Sequence, residues 1–335
     1  MASSPTQASR LWPIWAFLAM LSFAANNFLL GAVGEETGRQ SFAAVSAIIG
    51  LWLVAGVCGL IGSLCLCIAG LPPKFGGFQN LSMVVLVGIL IASSTLILAL
   101  AFTRDPDSTG PIAAMLPLNG LMVCALAWQI LGEGLGVQHV VGICIAVAGP
   151  ICMALADTSD AALEGLMLGG ISAIIFSTSN FIRKWLGVRR GVSSSSILLG
   201  FMLTLGVVAV VASTALVAVG EGFPRLDPSW LWALASLSGA CWVVGSIFFQ
   251  AGLMGFAGPS TAIANTNSVG VLLLQLVFFH PEVRPLKVLG MGLCIVGCVT
   301  LSLAPPLPAP RPALEDVLRS GLVTPPTLHE RLLKP

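Results

Sequence analysis

Four asparagines stand inside long apolar runs of this sequence, and their placement is patterned. Asn27 sits in Phe23-x3-Asn27-Phe28 and Asn180 in Phe176-x3-Asn180-Phe181, a shift of 153 positions. Asn119 and Asn267 are related by a shift of 148, which also lays Gly110-Pro111 on Gly258-Pro259, Gly142 on Gly290 and Gly149 on Gly297. Over residues 110–149 this second shift makes nine of 40 pairs identical without a gap, and five of the nine are Gly, Pro or Asn. Those types set backbone geometry or bury a polar group rather than fill volume, so the matches point to an internal duplication. In an apolar setting an uncharged amide does one kind of chemistry, hydrogen bonding. Its partner is either a neighbouring helix, as packing glue, or a polar solute in a cavity.

Other side chains extend the set. Asn26, Gln129, Gln250, Asn265, Thr266 and Gln275 also fall inside apolar runs. At about 100° per residue, Asn267 and Gln275 project within roughly 80° of each other, as do Asn119 and Gln129, so each pair can share a broad helix face. Trp128 and Trp242 lie mid-run, where an indole either packs or stacks on a flat ligand, whereas Trp12, Trp15, Trp185, Trp230 and Trp232 lie near run ends, as in an interfacial belt. The candidate substrate-binding residues are Asn27, Asn119, Asn180, Asn267, Trp128, Gln250 and Gln275. Catalytic and metal-binding candidates are lacking. There is no G-x-S-x-G and no H-E-x-x-H, and His139, His280 and His329 lie at run ends or in the tail. All nine cysteines fall in apolar runs, where free Cys acts as a small hydrophobe, and Cys65-x-Cys67 is not a metal spacing. An enzyme is not expected, nor is a cofactor.

The elements that must position these residues follow from composition. Of 335 residues, 56% are hydrophobic and 9% charged, with a mean hydropathy of +0.98. A soluble domain would carry about 25% charged residues. The chain is therefore expected in a bilayer, and a net charge of +1 offers no basic face for nucleic acid. Counting apolar runs of about 20 residues as crossings of a roughly 30 Å core gives ten: residues 11–31, 43–70, 81–102, 111–131 and 137–155, then 165–185, 197–219, 229–253, 259–279 and 286–303. The first run mimics parts of a secretory signal, but its length and its two asparagines favour a retained helix. The polar segment 157–164 is the natural joint. Beyond it lies an organisation of residues 1–10 as an N-terminal segment, 11–156 and 164–304 as two five-helix repeats, and 305–335 as a Pro-rich tail.

An odd number of crossings per repeat makes the second copy enter from the opposite face, so the fold class expected is all-α integral membrane, ten transmembrane helices as two inverted five-helix repeats. With the N-terminus cytoplasmic, 10 Lys and Arg fall inside and 5 outside, and an even number of crossings returns both termini to the cytoplasm. The host membrane, plasma or internal, is left open. The sequon Asn80-Leu-Ser82 then faces the cytosol and should be unmodified.

The Gly110-Pro111 start, the run ending Leu131-Gly132-Glu133 and the following Gly142-x6-Gly149 helix resemble the C-terminal signature of an EamA-type repeat in the drug/metabolite transporter superfamily. Residues from Gly258-Pro259 through Gly290-x6-Gly297 resemble it again, except that Pro281 stands opposite Glu133 and Glu282 follows one place later. The resemblance covers about residues 11–304. It implies ten helices in two inverted repeats around a central cavity lined mainly by crossings 1, 3, 4, 6, 8 and 9, with 5 and 10 peripheral. For Glu133 a structural cap or interfacial hydrogen bond is the favoured role.

The function expected is secondary transport of a small polar or amphipathic metabolite by alternating access, the alternative being a non-transporting scaffold or receptor that retains the fold. Expected partners are the small-molecule substrate and the lipid bilayer, with room for a homodimer. With no Asp, Glu, Lys, Arg or His near the middle of any run, facilitated movement or exchange of a neutral or zwitterionic solute is expected rather than proton-driven pumping. Arg183 and Lys184 are read as cytoplasmic anchors at the end of crossing 6, the other reading being attraction of an anionic substrate.

Overall fold

The computed structural model describes residues 11–36, 41–104, 112, 116, 118–132, 134, 136–155, 160–220, 226, 229–278 and 284–304. All regular structure among them is helical. A backbone in hydrocarbon must satisfy its own N–H and C=O groups, and helices do so within one segment. The elements are α1 (Trp12–Glu36), α2 (Ser41–Ile68), α3 (Phe78–Arg104), α4 (Leu118–Leu126), α5 (Val137–Leu155), α6 (Asp160–Arg190), α7 (Ser194–Ala218), α8 (Trp230–Gly255), α9 (Ala257–Asn265), α10 (Asn267–Phe278) and α11 (Pro285–Leu303). Residues 110–111, Glu133, His280, Pro281, Glu282, both terminal segments and most of the loop 103–109 lie outside the described residues, and with them those sequence expectations.

Among the described residues, six spans are long and apolar enough to cross a membrane: Trp12–Val33, Phe42–Ile68, Phe78–Phe102, Ser194–Ala218, Trp230–Gly255 and Ala257–Phe278. Leu118–Leu131, Val137–Gly149 and Val288–Leu301 are shorter apolar stretches. Two elements depart from the expected runs. The sixth run, expected over 165–185, is a 31-residue helix that begins inside the acidic joint and continues to Arg190. The ninth is two helices. α9 stops at Asn265, Thr266 turns with its N–H on Ile263 O at 3.1 Å, and α10 starts at Asn267.

α4 gives way to one π turn, Ala127–Leu131, which Gly132 closes in the left-handed region at φ 70°, where a side chain would be strained. Trp128 and Gln129 ride on this turn and face outward; Trp128 is 58% exposed.

Helices pair across the sequence midpoint. α1 runs along α8, α3 along α6, α2 along α7, α4 against α9, and α5 along α11. Small residues permit the closest approaches. A Cβ on Gly149 would strike Cys294 Sγ and Gly290 O at 2.5 Å, and one on Gly297 would lie 2.6 Å from Ala146 Cα. α2 and α7 touch at Gly56 and Gly206, where a Cβ on Gly206 would sit 2.8 Å from Gly56 Cα. The largest core cluster lies among α2, α3, α7 and α8 and includes Ile48, Leu51, Trp52, Val84, Phe201, Leu205 and Trp242.

Polarity runs inside out relative to a soluble protein. Val207, Val211, Ile61 and Leu64 are more than half exposed, while Asn27, Asn119, Asn180, Arg183, Gln250 and Asn267 are buried. Against lipid the apolar groups belong outside and the amides within. Asn80 is buried too, its Nδ2 donating to Phe75 O at 2.8 Å.

Candidate functional site

Phe23, Asn27 and Leu30 recur at i, i+4 and i+7 along α1 and so share one face. Phe176, Asn180 and Arg183 do the same on α6. Both faces line a single cavity, whose atom-free space is about 700 Å³ with its mouth included. α4 contributes Asn119, the α9/α10 break contributes Asn265 and Asn267, and α8 contributes Trp242, Ser246 and Phe249. Thr95 with Ile91, Leu98 and Ala99 comes from α3, and Ile48 and Leu51 from α2. Among the described residues, none from α5 or α11 reaches it.

Four of the seven residues singled out from sequence, Asn27, Asn119, Asn180 and Asn267, thus meet at one cavity. The other three do not line it. Gln250 is buried just behind, bonded to Arg183; Gln275 is half-buried on α10; Trp128 is on the outer π turn. Trp242 is the indole that faces the space.

One side of the cavity is an ordered amide chain. Ser238 Oγ donates to Asn26 Oδ1 (2.8 Å), Asn26 Nδ2 to Asn27 Oδ1 (3.0 Å), and Asn27 Nδ2 to Asn267 Oδ1 (3.4 Å). The helix break puts Asn265 and Asn267 side by side at the wall. Adjacent asparagines flanking a threonine were a readable sign of such a break, since their side chains compete with the helix for backbone groups.

The cavity also holds Arg183, expected as a cytoplasmic anchor. Arg183 is 3% exposed and lines the cavity, about 10 Å of helix short of the end of α6. The crossing expected to end at Trp185 continues to Arg190, so Arg183 lies inside it and lines the cavity rather than anchoring at its cytoplasmic end, which corrects the expectation of an interfacial anchor. Its Nε donates to Gln250 Oε1 at 2.7 Å and its Nη1 to Asn180 Oδ1 at 3.2 Å. Its Cζ lies 4.6 Å from the Phe201 ring centroid and 5.3 Å from that of Phe249. Nη2 is buried and has no hydrogen-bond partner. Among the described residues, none that lines the cavity is a carboxylate.

Lys184 turns away from the cavity. Its Nζ donates to the carbonyls of Leu253 (3.0 Å), Met254 (3.0 Å) and Gly255 (3.3 Å), the last turn of α8, where the helix dipole is negative and carbonyls lack helical partners.

Comparison with known proteins fits this picture. An uncharacterized membrane protein of Bacillus subtilis (strain 168), YvaE, is 34% identical over 104 residues, which are 30% of this chain and 82% of that protein. The chain belongs to the family of that membrane protein. With its apolar helices it is an integral, multi-pass membrane protein in contact with lipid. A solved structure described as "Crystal structure of protein" superposes with a TM-score of 0.65 over 90% of this chain and 98% of its own, at 15% identity, which speaks to fold alone. No protein-family model matches the chain.

Proposed function

We propose that the protein is a secondary transporter that moves a small polar or amphipathic metabolite by alternating access through this cavity, and that its crossings are ten, in two inverted EamA-like five-helix repeats of the drug/metabolite transporter superfamily. The observation that carries the reading is the convergence of Asn27, Asn119, Asn180 and Asn267, from four separate crossings, on one cavity with mostly apolar walls. Amides that served only as glue between neighbouring helices would have no reason to meet at a space.

Reciprocal contacts support the inverted arrangement. Gly149 meets Cys294 while Gly297 meets Ala146, and a shift of 148 exchanges the two contacts. A two-fold relation demands this reciprocity. The helix pairs behave alike: α1 with α8 and α3 with α6 exchange under the same operation, while α2 with α7, α4 with α9, and α5 with α11 map onto themselves. Since 104 residues are 82% of the Bacillus subtilis relative, that protein has about 127, near the size of one proposed half. A broken crossing with polar residues at the break is also a usual way for transporters to build a site at membrane depth.

In this reading both termini are cytoplasmic and the bound molecule leaves chemically unchanged. The test is flux into proteoliposomes holding the purified chain. Uptake is expected to fall to background in the Asn27→Leu, Asn180→Leu double variant, with folding and membrane insertion intact. Unchanged flux in that variant would return the amides to packing. A wild-type protein that binds solutes but moves none would be a receptor or scaffold with this fold.

A further inference from the structure

Arg183 has no structural reason to carry a charge. A guanidinium removed from water needs an anion or a full set of acceptors to offset its lost hydration. Here two neutral amide oxygens and two aromatic rings take up part of that demand, and Nη2 is left with nothing. Lys184, the next residue, shows how the fold holds a cation that serves only packing, with three carbonyls around its Nζ. Arg183, by contrast, lines the cavity without such a set.

Resting on the transport reading, we infer that the substrate is an organic monoanion whose oxyanion head, of carboxylate type, binds Arg183 Nη2 and whose apolar body lies among the cavity's aromatic and aliphatic walls. Charge count sets the valence. Among the described residues the lining holds one cation and no carboxylate, so one negative charge neutralises it, a dianion overshoots, and a zwitterion leaves the arginine's charge uncompensated. The walls set the body. Phe23, Phe176, Phe249, Trp242, Leu30 and Leu98 make most of the space apolar, which disfavours a small, fully hydrated ion such as phosphate. Orientation comes from Asn265 Nδ2, a second buried donor without a partner at the cavity wall, and Asn119 Oδ1, an acceptor in the same condition. Gln250 and Asn180 hold the guanidinium through Nε and Nη1, which leaves Nη2 as the donor still to be satisfied.

The experiment uses the purified full-length chain. Thermal melts are recorded with benzoate, phenylacetate, cyclohexanecarboxylate and octanoate, with the matching primary amides, and with phthalate, succinate and inorganic phosphate. At least one monocarboxylate is expected to raise the melting temperature by several degrees, with its amide inert. Arg183→Gln should weaken that ligand at least tenfold while Arg183→Lys keeps part of the affinity. Arg183→Met tests the site without any ligand: removing an uncompensated buried charge should raise the melting temperature of the free protein. Equal binding of the amide, tighter binding of phosphate or a dicarboxylate, no monocarboxylate response, or full affinity in Arg183→Gln would each overturn the inference. Flux separates it from the reading beneath. A neutral solute carried equally by wild type and Arg183→Gln sinks the anion and spares the transporter; a monocarboxylate bound through Arg183 but never carried does the reverse.

Discussion

Residues 23, 27 and 30 of α1 and residues 176, 180 and 183 of α6 face the same cavity at the same spacing, yet one wall ends in leucine and the other in arginine. Phe23 answers Phe176 and Asn27 answers Asn180, so the scaffold is shared down to the aromatic and the amide. What differs is what the amide does. Asn27 passes its hydrogen bond to Asn267, an uncharged neighbour, whereas Asn180 gives its oxygen to a guanidinium. The two walls share position and differ in polarity at one residue, Leu30 against Arg183. The site is thus similar in shape on its two walls and one-sided in charge.

The harshest way to break this comparison is to equalise the walls. Leu30→Arg places a second guanidinium at the same cavity, and the uncompensated charge is expected to cost about 3–5 kcal/mol, read as a large drop in melting temperature. A mild effect there would mean that the cavity is wet enough to ignore charge. Next in size is the peripheral seam. Gly149→Val and Gly297→Val press branched side chains into reciprocal contacts, and each is expected to cost about 1–3 kcal/mol. Losses that differ widely between the two would argue against a two-fold relation of the halves.

Acidic replacements sharpen the difference between the walls. Asn27→Asp puts a carboxylate among amides and should destabilise by about 2 kcal/mol. Asn180→Asp puts one against Arg183 and should raise the melting temperature while abolishing monocarboxylate binding, because the cation is then satisfied from within. Shifts of the same sign in both variants would dissolve the distinction. Smallest is Lys184→Met, expected to cost about 1 kcal/mol through the lost cap on α8, with ligand affinity unchanged.

Much of this was legible in the sequence. Amides in apolar runs are costly unless they meet something polar, so Asn27, Asn119, Asn180 and Asn267 stood out, and they do meet. Arg183 was legible in principle, since it completes the i, i+4, i+7 face that Phe176 and Asn180 begin. It was hidden by a helix end expected at Trp185, where a positive charge has an ordinary explanation. Trp128 was singled out for lying mid-run, but the run loosens into a π turn there and carries the indole outward. Periodicity assumes an unbroken helix of 3.6 residues per turn. The same assumption concealed the Thr266 break. Gln250 shows another blind spot: a polar residue can serve the site from behind, by holding a side chain that reaches it.

The meeting of Gly56 and Gly206 also limits how such a molecule can move. With no side chains between them, α2 and α7 have nowhere closer to go and no layer of atoms to shear. The two residues are 150 apart, between the shifts of 148 and 153 that relate the halves, so in the proposed arrangement they stand at the axis. A rocking bundle would then have its fulcrum there, with the cavity mouth sweeping the widest arc and this crossing point hardly displaced.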